Sequence, residues 1–227
     1  AALSAFEFAN LQLGERAYAI SIMSEKGGAV ASTLGVKIET TKLEGYPDTL
    51  MVLGELKPRT VSPALRDYII AAARHSRRIA GVCTGAFVLA EAGLLDGRVA
   101  TTHWAHAQAL QSRFPSVRVE DDRIFVRDGS IWTSAGMTAA IDLTLALIED
   151  DYDAALARKI ARRMVVYHRR PGGQSQFSMH LKAQFNELPS VARIQQWIID
   201  NPGGDLRVEA IADRHAMSKR SLLRLFA

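Results

Sequence analysis

Short apolar runs alternate with longer amphipathic segments over the first 150 residues of the chain. The short runs predict strands at Ala17–Met23, Thr49–Leu53, Arg78–Val82, Val99–Thr101 and Ser130–Ser134. The amphipathic segments predict helices at Ala1–Asn10, Val61–Arg74, Gly85–Ala92, His103–Arg113, Met137–Glu149 and Asp151–Val166. Strands separated by helices form βαβ units, so the pattern predicts an α/β fold with a mainly parallel sheet flanked by helices. Because the series opens on a helix, we expect that a first strand is missing.

Turn residues divide the region that follows the helix at His103–Arg113. The runs Val117–Glu120 and Arg123–Arg127 predict a hairpin between them. Asp128-Gly129 then predicts a second tight turn, which leads into Ser130–Ser134.

The organisation of the chain changes after residue 167. Residues 168–178 read HRRPGGQSQFS, which combines proline, glycine and polar residues without apolar periodicity, as is typical of a linker. Apolar spacing beyond it predicts helices at Val191–Asp200, Val208–Arg214 and Lys219–Phe226. We therefore predict an α/β domain at residues 1–167, a linker at 168–180 and a small all-α domain at 181–227.

The composition of the 227 residues, 48% hydrophobic and 23% charged, is that of a globular protein and excludes disordered and collagen-like chains. No apolar run approaches the roughly 20 residues of a membrane span, so we expect no membrane contact. The single cysteine fits a reducing compartment, which favours the cytoplasm.

Charge is divided unevenly along the chain. Residues 1–157 carry 15 basic and 19 acidic residues, a net charge of −4, whereas residues 158–227 carry 13 and 5, a net charge of +8. A basic C-terminal segment on an acidic body suggests a module that faces nucleic acid, although it is also compatible with the solvated surface of a helical bundle.

The segment around Cys83 carries the most chemical information in the α/β region. An apolar strand ends at Cys83, and Thr84 and Gly85 begin a helix of small residues, which is the pattern of a nucleophile elbow. Ligands bind at the carboxyl ends of strands in open α/β sheets, and a helix N-terminus behind the thiol is expected to lower its pKa. Gly54 and His103 also follow predicted strands. The turn at Gly54 is a candidate for holding an anion, and His103 is a candidate base. The alternatives are that Cys83 is a buried small hydrophobe and that His103 is a capping or core residue.

Two longer strings resemble a known superfamily. CTGAFVLAEAGLLDGR at residues 83–98 and ATTHW at residues 100–104 resemble the PfpI/ThiJ superfamily, and in particular its GlxA-type members, as does the later signature of Thr133-Ser134-Ala135-Gly136 with Asp142. The resemblance implies a flavodoxin-like, class I glutamine-amidotransferase-like domain joined to an AraC-type DNA-binding domain. It implies a small-molecule pocket near six residues: Cys83, Thr84, Gly54, Glu55, His103 and Trp104.

Departures from the superfamily pattern argue against catalysis. Thr84 stands where hydrolytic members have a histidine, and Glu55 stands where many relatives have a second glycine. No complete Cys-His-acid set emerges from the sequence, so we expect a sensor domain without cofactor or metal. The alternative is a cysteine-dependent hydrolase or isonitrile hydratase-like enzyme that uses Cys83. The resemblance makes amino acids and quaternary ammonium compounds plausible effectors, and Trp104 or Trp132 offers an aromatic face for a cation.

Residues 206–226 predict a helix-turn-helix. Ile211 and Ala212 are apolar on the first helix, Leu222, Leu225 and Phe226 on the second, and Met217 lies in the turn, while Ser218 is a suitable N-cap. An ordinary helical hairpin with basic decoration has the same general pattern.

The spacing of this segment resembles the first helix-turn-helix of the AraC/XylS family. The resemblance implies base contacts by Arg220, Leu223 and Arg224 and DNA-backbone contacts by Ser218 and Lys219. It also implies a second such unit, which we expect to be missing from this chain, and a homodimer formed through the α/β domain.

Overall fold

The computed structural model describes residues 2–32, 35–167, 169–176 and 189–226. Residue 168 and residues 177–188, which belong to the predicted linker and all-α domain, lie outside the described residues. Contacts divide the chain into two compact units, Ala1–Gln176 and Phe177–Ala227. No helix in the described ranges is long and apolar enough to cross a membrane.

The elements of the described residues follow the predicted alternation. The strands are β1 (Met23–Ser24), β2 (Gly28–Ala31), β3 (Lys37–Lys42), β4 (Thr49–Leu53), β5 (Arg78–Val82), β6 (Val99–Ala100), β7 (Arg118–Val119), β8 (Phe125–Asp128) and β9 (Ile131–Ser134). The helices are α1 (Ala2–Leu13), α2 (Pro63–Ala72), α3 (Gly85–Glu91), α4 (Trp104–Arg113), α5 (Ala139–Asp151), α6 (Ala154–Arg163), α7 (Pro189–Asp200), α8 (Val208–Arg214) and α9 (Lys219–Phe226).

The central sheet of the first unit has the strand order β4-β5-β9-β8. β4, β5 and β9 run parallel, and β8 joins the edge as an antiparallel hairpin partner of β9 through the predicted turn at Asp128-Gly129. Every residue of β5 is buried, as expected of a strand with helices on both faces. The parallel strands end together, so the residues that follow β4, β5 and β9 meet at one edge.

Two hydrophobic cores cover the faces of this sheet. Alternate residues of β5 face opposite sides: Ala80 and Val82 join the core formed with α1, α5 and α6, whereas Ile79 joins the core formed with α2, α3 and α4. The α/β prediction with helices flanking a largely parallel sheet is therefore confirmed.

The strand predicted at Ala17–Met23 is wrong except at its last residue. The backbone of Tyr18 is satisfied by a side chain rather than by a strand: its N–H donates to Asn10 Oδ1 (2.7 Å) and its carbonyl accepts from Asn10 Nδ2 (2.8 Å). The antiparallel pair β2–β3 that follows was not predicted. Its residues are exposed at nearly every position, so the hydrophobic pattern carried no signal for it.

The hairpin predicted between Val117–Glu120 and Arg123–Arg127 is also wrong. β7 instead pairs in parallel with β6, with Ala100 opposite Val119. The side chain of Gln111 on α4 fixes this arrangement, because it donates to the carbonyl of Val117 (2.8 Å) and accepts from the N–H of Val119 (3.1 Å).

The second unit contains the three predicted helices, which pack around Ile194, Ile211, Ala212 and Leu222. Ser218 caps α9 as predicted, since its Oγ accepts from the N–H of Ser221 at 3.0 Å.

Candidate functional site

Cys83 occupies a sharp turn directly after β5. Its φ is +57°, a left-handed conformation that non-glycine residues rarely adopt, and its N–H donates to the carbonyl of Ser134 at 2.9 Å. Gly136 packs against it so closely that a Cβ there would lie 2.3 Å from the Cβ of Cys83. The predicted elbow is therefore present, and it depends on a glycine contributed by the segment after β9.

The turn after β4 packs onto the same elbow. A Cβ on Gly54 would lie 2.0 Å from Thr84 Oγ1, and a Cβ on Gly85 would lie 2.2 Å from the carbonyl oxygen of Val52. The hydroxyl of Thr84 donates to the carbonyl of Glu55. The geometry thus explains both glycines by close backbone packing, while the anion-holding role of Gly54 stays a prediction.

Burial governs the chemistry of the thiol. It raises the pKa of Cys83 above its ordinary value, and the hydrogen bond with the backbone of Thr84 lowers that pKa by less. The expected lowering of the Cys83 pKa by the helix N-terminus is therefore not met.

His103 is the N-cap of α4 and does not bond to the thiol. Its Nδ1 accepts from the N–H of Ala105 at 3.3 Å, while burial, together with His106, lowers its pKa. Within the described ranges, no hydrogen bond joins Cys83 Sγ to a histidine or a carboxylate. The contact to the elbow comes instead from Thr102, whose Oγ1 donates to the carbonyl of Cys83 at 2.8 Å. Sequence reasoning did not select Thr102, although it follows β6 directly beside His103.

The two tryptophans considered for cation binding differ in accessibility. Trp104 is 52% exposed, whereas Trp132 is buried, with the guanidinium carbon of Arg127 4.7 Å from its ring centroid. Of the two, Trp104 is therefore the more exposed residue. Glu55 is exposed, and its carboxylate pairs with Arg59 at 3.0 Å.

Residues 169–176, which fall within the predicted linker, are bound to the first unit; we call them the strap. At its start, Arg170 donates from its backbone (2.9 Å) and from its guanidinium (2.7 Å) to the buried carboxylate of Asp142 on α5. In its middle, the carbonyl of Gly172 accepts from the N–H of Ile124 at 3.1 Å. A Cβ on Gly172 would lie 2.6 Å from the carbonyl oxygen of Phe125, so the strap lies directly on the backbone beside β8.

The strap ends at Gln176, which is bonded to the residues beside the elbow. Its Nε2 donates to the carbonyl of Thr102 (2.9 Å), and its Oε1 accepts from the N–H of Trp104 (3.0 Å). Its own N–H donates to Asp122 Oδ1 at 2.9 Å. A chain of hydrogen bonds thus runs from the carbonyl of Cys83 through Thr102 to Gln176, the residue that directly precedes the second unit.

Residues 6–150 match the DJ-1/PfpI family. The chain belongs to this family. The match covers the elbow, the site residues of the α/β unit and both cores except for their contributions from α6 and the start of α1, in agreement with the resemblance seen in the sequence.

Relatives of this DJ-1/PfpI chain are named as regulators of transcription. The HTH-type transcriptional regulator CdhR of Pseudomonas aeruginosa is 38% identical over 158 residues, which cover 68% of this chain and 47% of CdhR. The HTH-type transcriptional regulator GbdR of the same species is 30% identical over 233 residues, which cover 99% of this chain and 62% of GbdR. The chain thus spans about half to three fifths of the length of these relatives.

A solved structure shows the same likeness. The crystal structure of an AraC family transcriptional regulator from Pseudomonas putida superposes with a TM-score of 0.66 at 27% identity, covering 72% of this chain and 89% of that one. Together with the GbdR match, which includes α7–α9, this supports the resemblance to GlxA-type regulators.

Two open clefts are found away from Cys83 in the DJ-1/PfpI unit. One, of about 550 Å³, is lined by Val119, Glu120, Asp121, Asp122, Arg123, Gly173 and Ser175. The other, of about 400 Å³, is lined by Arg158, Ala161, Arg162, Val165, Val166, Tyr167 and Arg169. In the described part of the chain, no group of three histidine, cysteine, aspartate or glutamate residues is arranged to hold a metal ion.

The predicted DNA contacts lie on α9 and its cap. The exposed side chains include Lys219, Arg220, Leu223 and Arg224. Lys219 pairs with Glu209 of α8 at 2.5 Å. Leu222 faces the core, so Arg220 and Arg224, two residues before and after it, lie on the opposite side of the helix.

Proposed function

We propose that the chain is part of a transcriptional regulator in which the DJ-1/PfpI unit binds a small molecule beside Cys83 and the C-terminal unit binds DNA. The regulator names of CdhR and GbdR and the helix-turn-helix pattern of α8 and α9 support this proposal. A cytoplasmic location and a homodimer formed through the α/β unit belong to the same proposal.

The strap is the observation that carries the proposal. Gln176 holds Thr102 and Trp104, two residues beside the elbow, and the next residue begins the second unit. A ligand that changes the position of Thr102 or Trp104 changes the free energy of the strap contacts. The coupling is reciprocal. If the bound ligand changes the equilibrium constant for forming the strap contacts by some factor, formation of those contacts changes the affinity for the ligand by the same factor.

The proposed site consists of Cys83, Thr84, Gly54, Glu55, His103 and Trp104. An amino acid or a quaternary ammonium compound suits it, because the indole of Trp104 offers a cation–π contact and the Glu55 carboxylate carries the opposite charge. The raised pKa of Cys83 favours a ligand contact over nucleophilic attack.

The proposed DNA contacts follow the surface of α9. Arg220, Leu223 and Arg224 would face the bases, and Ser218 and Lys219 the phosphates. Breaking the pair between Lys219 and Glu209 frees a cation for this contact.

A ligand screen tests the proposal. Purified chain is heated with amino acids and quaternary ammonium compounds at millimolar concentration, and we expect one of them to raise the unfolding midpoint. At a concentration of 100 times Kd, mass action stabilises the folded chain by about 2.7 kcal/mol. Trp104→Ala should weaken this shift, whereas Trp197→Ala in the C-terminal unit is the control and should keep it.

Gln176→Ala tests the coupling itself. The variant should still bind the ligand, but the ligand should no longer change DNA affinity, which fluorescence anisotropy measures. A ligand response that is unchanged in Gln176→Ala would refute the role of the strap. If Cys83→Ala abolishes turnover of an amide or an isonitrile, the enzyme alternative replaces the proposal.

A further inference from the structure

The positive charge of the C-terminal part of the sequence does not belong mainly to the helix-turn-helix. Residues 177–227 carry seven basic and five acidic residues, a net charge of only +2. Residues 158–176 carry six basic residues and no acidic one, and they belong to the α/β unit. The excess that suggested a nucleic-acid partner therefore lies on α6 and the strap.

On α6, the basic residues lie on the face opposite to the one that packs on the core. Leu156, Ala157, Ile160 and Ala161 are buried against the core. The opposite face exposes four cations at i, i+1, i+4 and i+5, which are Arg158, Lys159, Arg162 and Arg163.

Most of this cationic face has no acidic partner. Arg169 and Arg170 of the strap are paired with Glu149 and Asp142, and Arg163 lies over the ring of Phe8 at 5.5 Å. Arg158, Lys159 and Arg162 form no ion pair within the part of the chain that the structure describes. We call these three residues the α6 triad.

Two members of the α6 triad line a cleft with further exposed groups. Arg158, Arg162 and Arg169 line an open cleft of about 400 Å³ together with Val165 and Tyr167. Tyr167 is fully exposed and Val165 is 88% exposed. Two unpaired guanidinium groups and a phenol suit phosphate and sugar groups, which accept hydrogen bonds from such donors.

We propose that the α6 triad is a second DNA contact, which holds the phosphate backbone of a duplex that the helix-turn-helix also binds. The inference rests on the proposed function, since it takes DNA as the partner. Charge complementarity favours a duplex, because unpaired cations gain affinity by releasing counterions from phosphate. Two linked contacts on one duplex also strengthen each other by effective concentration.

Salt dependence of DNA binding tests this surface. The logarithm of the affinity for a duplex is measured against the logarithm of salt concentration for the chain and for Arg158→Gln/Lys159→Gln/Arg162→Gln. Each lost phosphate contact makes the slope shallower by about 0.9, so the triple variant should lose about 2 to 3. Arg158→Lys/Arg162→Lys keeps the charge and should keep the slope.

A matched variant controls for net charge. Lys26→Gln/Lys37→Gln/Lys42→Gln removes three exposed cations from the β1–β3 region and should leave the slope unchanged to within about 1. Equal slopes for the two triple variants would overturn the inference. Tighter binding to anionic vesicles or to single-stranded RNA than to duplex, lost in the α6 variant alone, would also overturn it.

The outcomes separate this inference from the proposed function. If Arg220→Ala/Arg224→Ala lowers affinity and the α6 variant does not, the helix-turn-helix proposal stands and the α6 contact is refuted. If the α6 variant lowers the slope and Arg220→Ala/Arg224→Ala has no effect, the α6 contact stands and the assigned role of α9 fails.

Discussion

The two ends of β5 differ in how the residue there is stabilised: a buried charge with its partners lies at the start, and a strained backbone turn follows the end. At its start, Arg78 is buried, and its guanidinium is surrounded by partners: Nε donates to Thr49 Oγ1 at 2.9 Å, and Nη1 lies 3.3 Å from Asp150 Oδ2. Nη2 pairs with Asp151. Just past the end of β5, Cys83 is held in a left-handed conformation by contacts with glycines.

The difference between the two ends favours the Cys83 end as the proposed ligand site. Asp151 also accepts from Tyr18 (2.8 Å) and Arg77 (2.7 Å), so the charges at the start of the strand compensate one another. At the other end, the buried hydroxyl of Ser134 has no hydrogen-bond partner among the described residues, and the backbone of Cys83 is strained. Strain and unsatisfied polar groups concentrate at functional sites, which supports a binding role for the Cys83 end.

Among the substitutions that test this comparison, Gly136→Ala should have the largest effect on the free energy of unfolding. The new Cβ would meet Cys83 at 2.3 Å, and the φ of +81° is unfavourable for alanine. Together these effects should lower the free energy of unfolding by about 4 kcal/mol in urea denaturation. Gly97→Ala is the matched control, because Gly97 has a φ of +70° and open space around it. It should cost only about 1 kcal/mol, and an equal loss in both variants would show that the close contact is unimportant.

Arg78→Met removes the buried charge at the start of β5 and should lower the free energy of unfolding by less than Gly136→Ala. Met fills similar space but leaves Asp150 and Asp151 without their buried partner, which should cost about 3 kcal/mol in the same assay. Arg77→Met removes a half-exposed partner of the same Asp151 and should cost less than about 1 kcal/mol. If the two variants lose the same stability, the burial of Arg78 is not what makes its pairing important.

The sequence predicted the strand and the elbow because both have local signals. The apolar run Arg78–Val82 and the small residues after Cys83 define strand, turn and helix without distant partners. The strap could not be predicted in this way. Its anchors pair Arg170 with Asp142 and Gln176 with Thr102, and such distant contacts leave no periodic pattern in a segment rich in proline and glycine.

The same distinction explains the site residues. His103 was selected as a histidine that follows a predicted strand, yet it caps α4. Thr102 makes the contact to the elbow instead. The segment after β6 is held there by β9, because the N–H of Thr101 donates to Thr133 Oγ1 at 2.8 Å. The polar hairpin β2–β3 was missed for a related reason, since its pairing is fixed by backbone hydrogen bonds and not by a buried face.

The smallest effect should come from relieving the strain at the elbow. At most positions a protein with alanine is more stable than the same protein with glycine. The φ of +57° at Cys83 should reverse this order. Cys83→Gly should therefore be more stable than Cys83→Ala by about 1 kcal/mol in urea denaturation, because both variants lose the thiol and only alanine keeps the left-handed cost. Ala80 in β5 provides the control comparison of alanine with glycine. There the unchanged chain, with its native alanine, should be more stable than Ala80→Gly. If Cys83→Ala is the more stable elbow variant, the turn relaxes when the thiol is removed, and the strain belongs to the side chain rather than to the backbone.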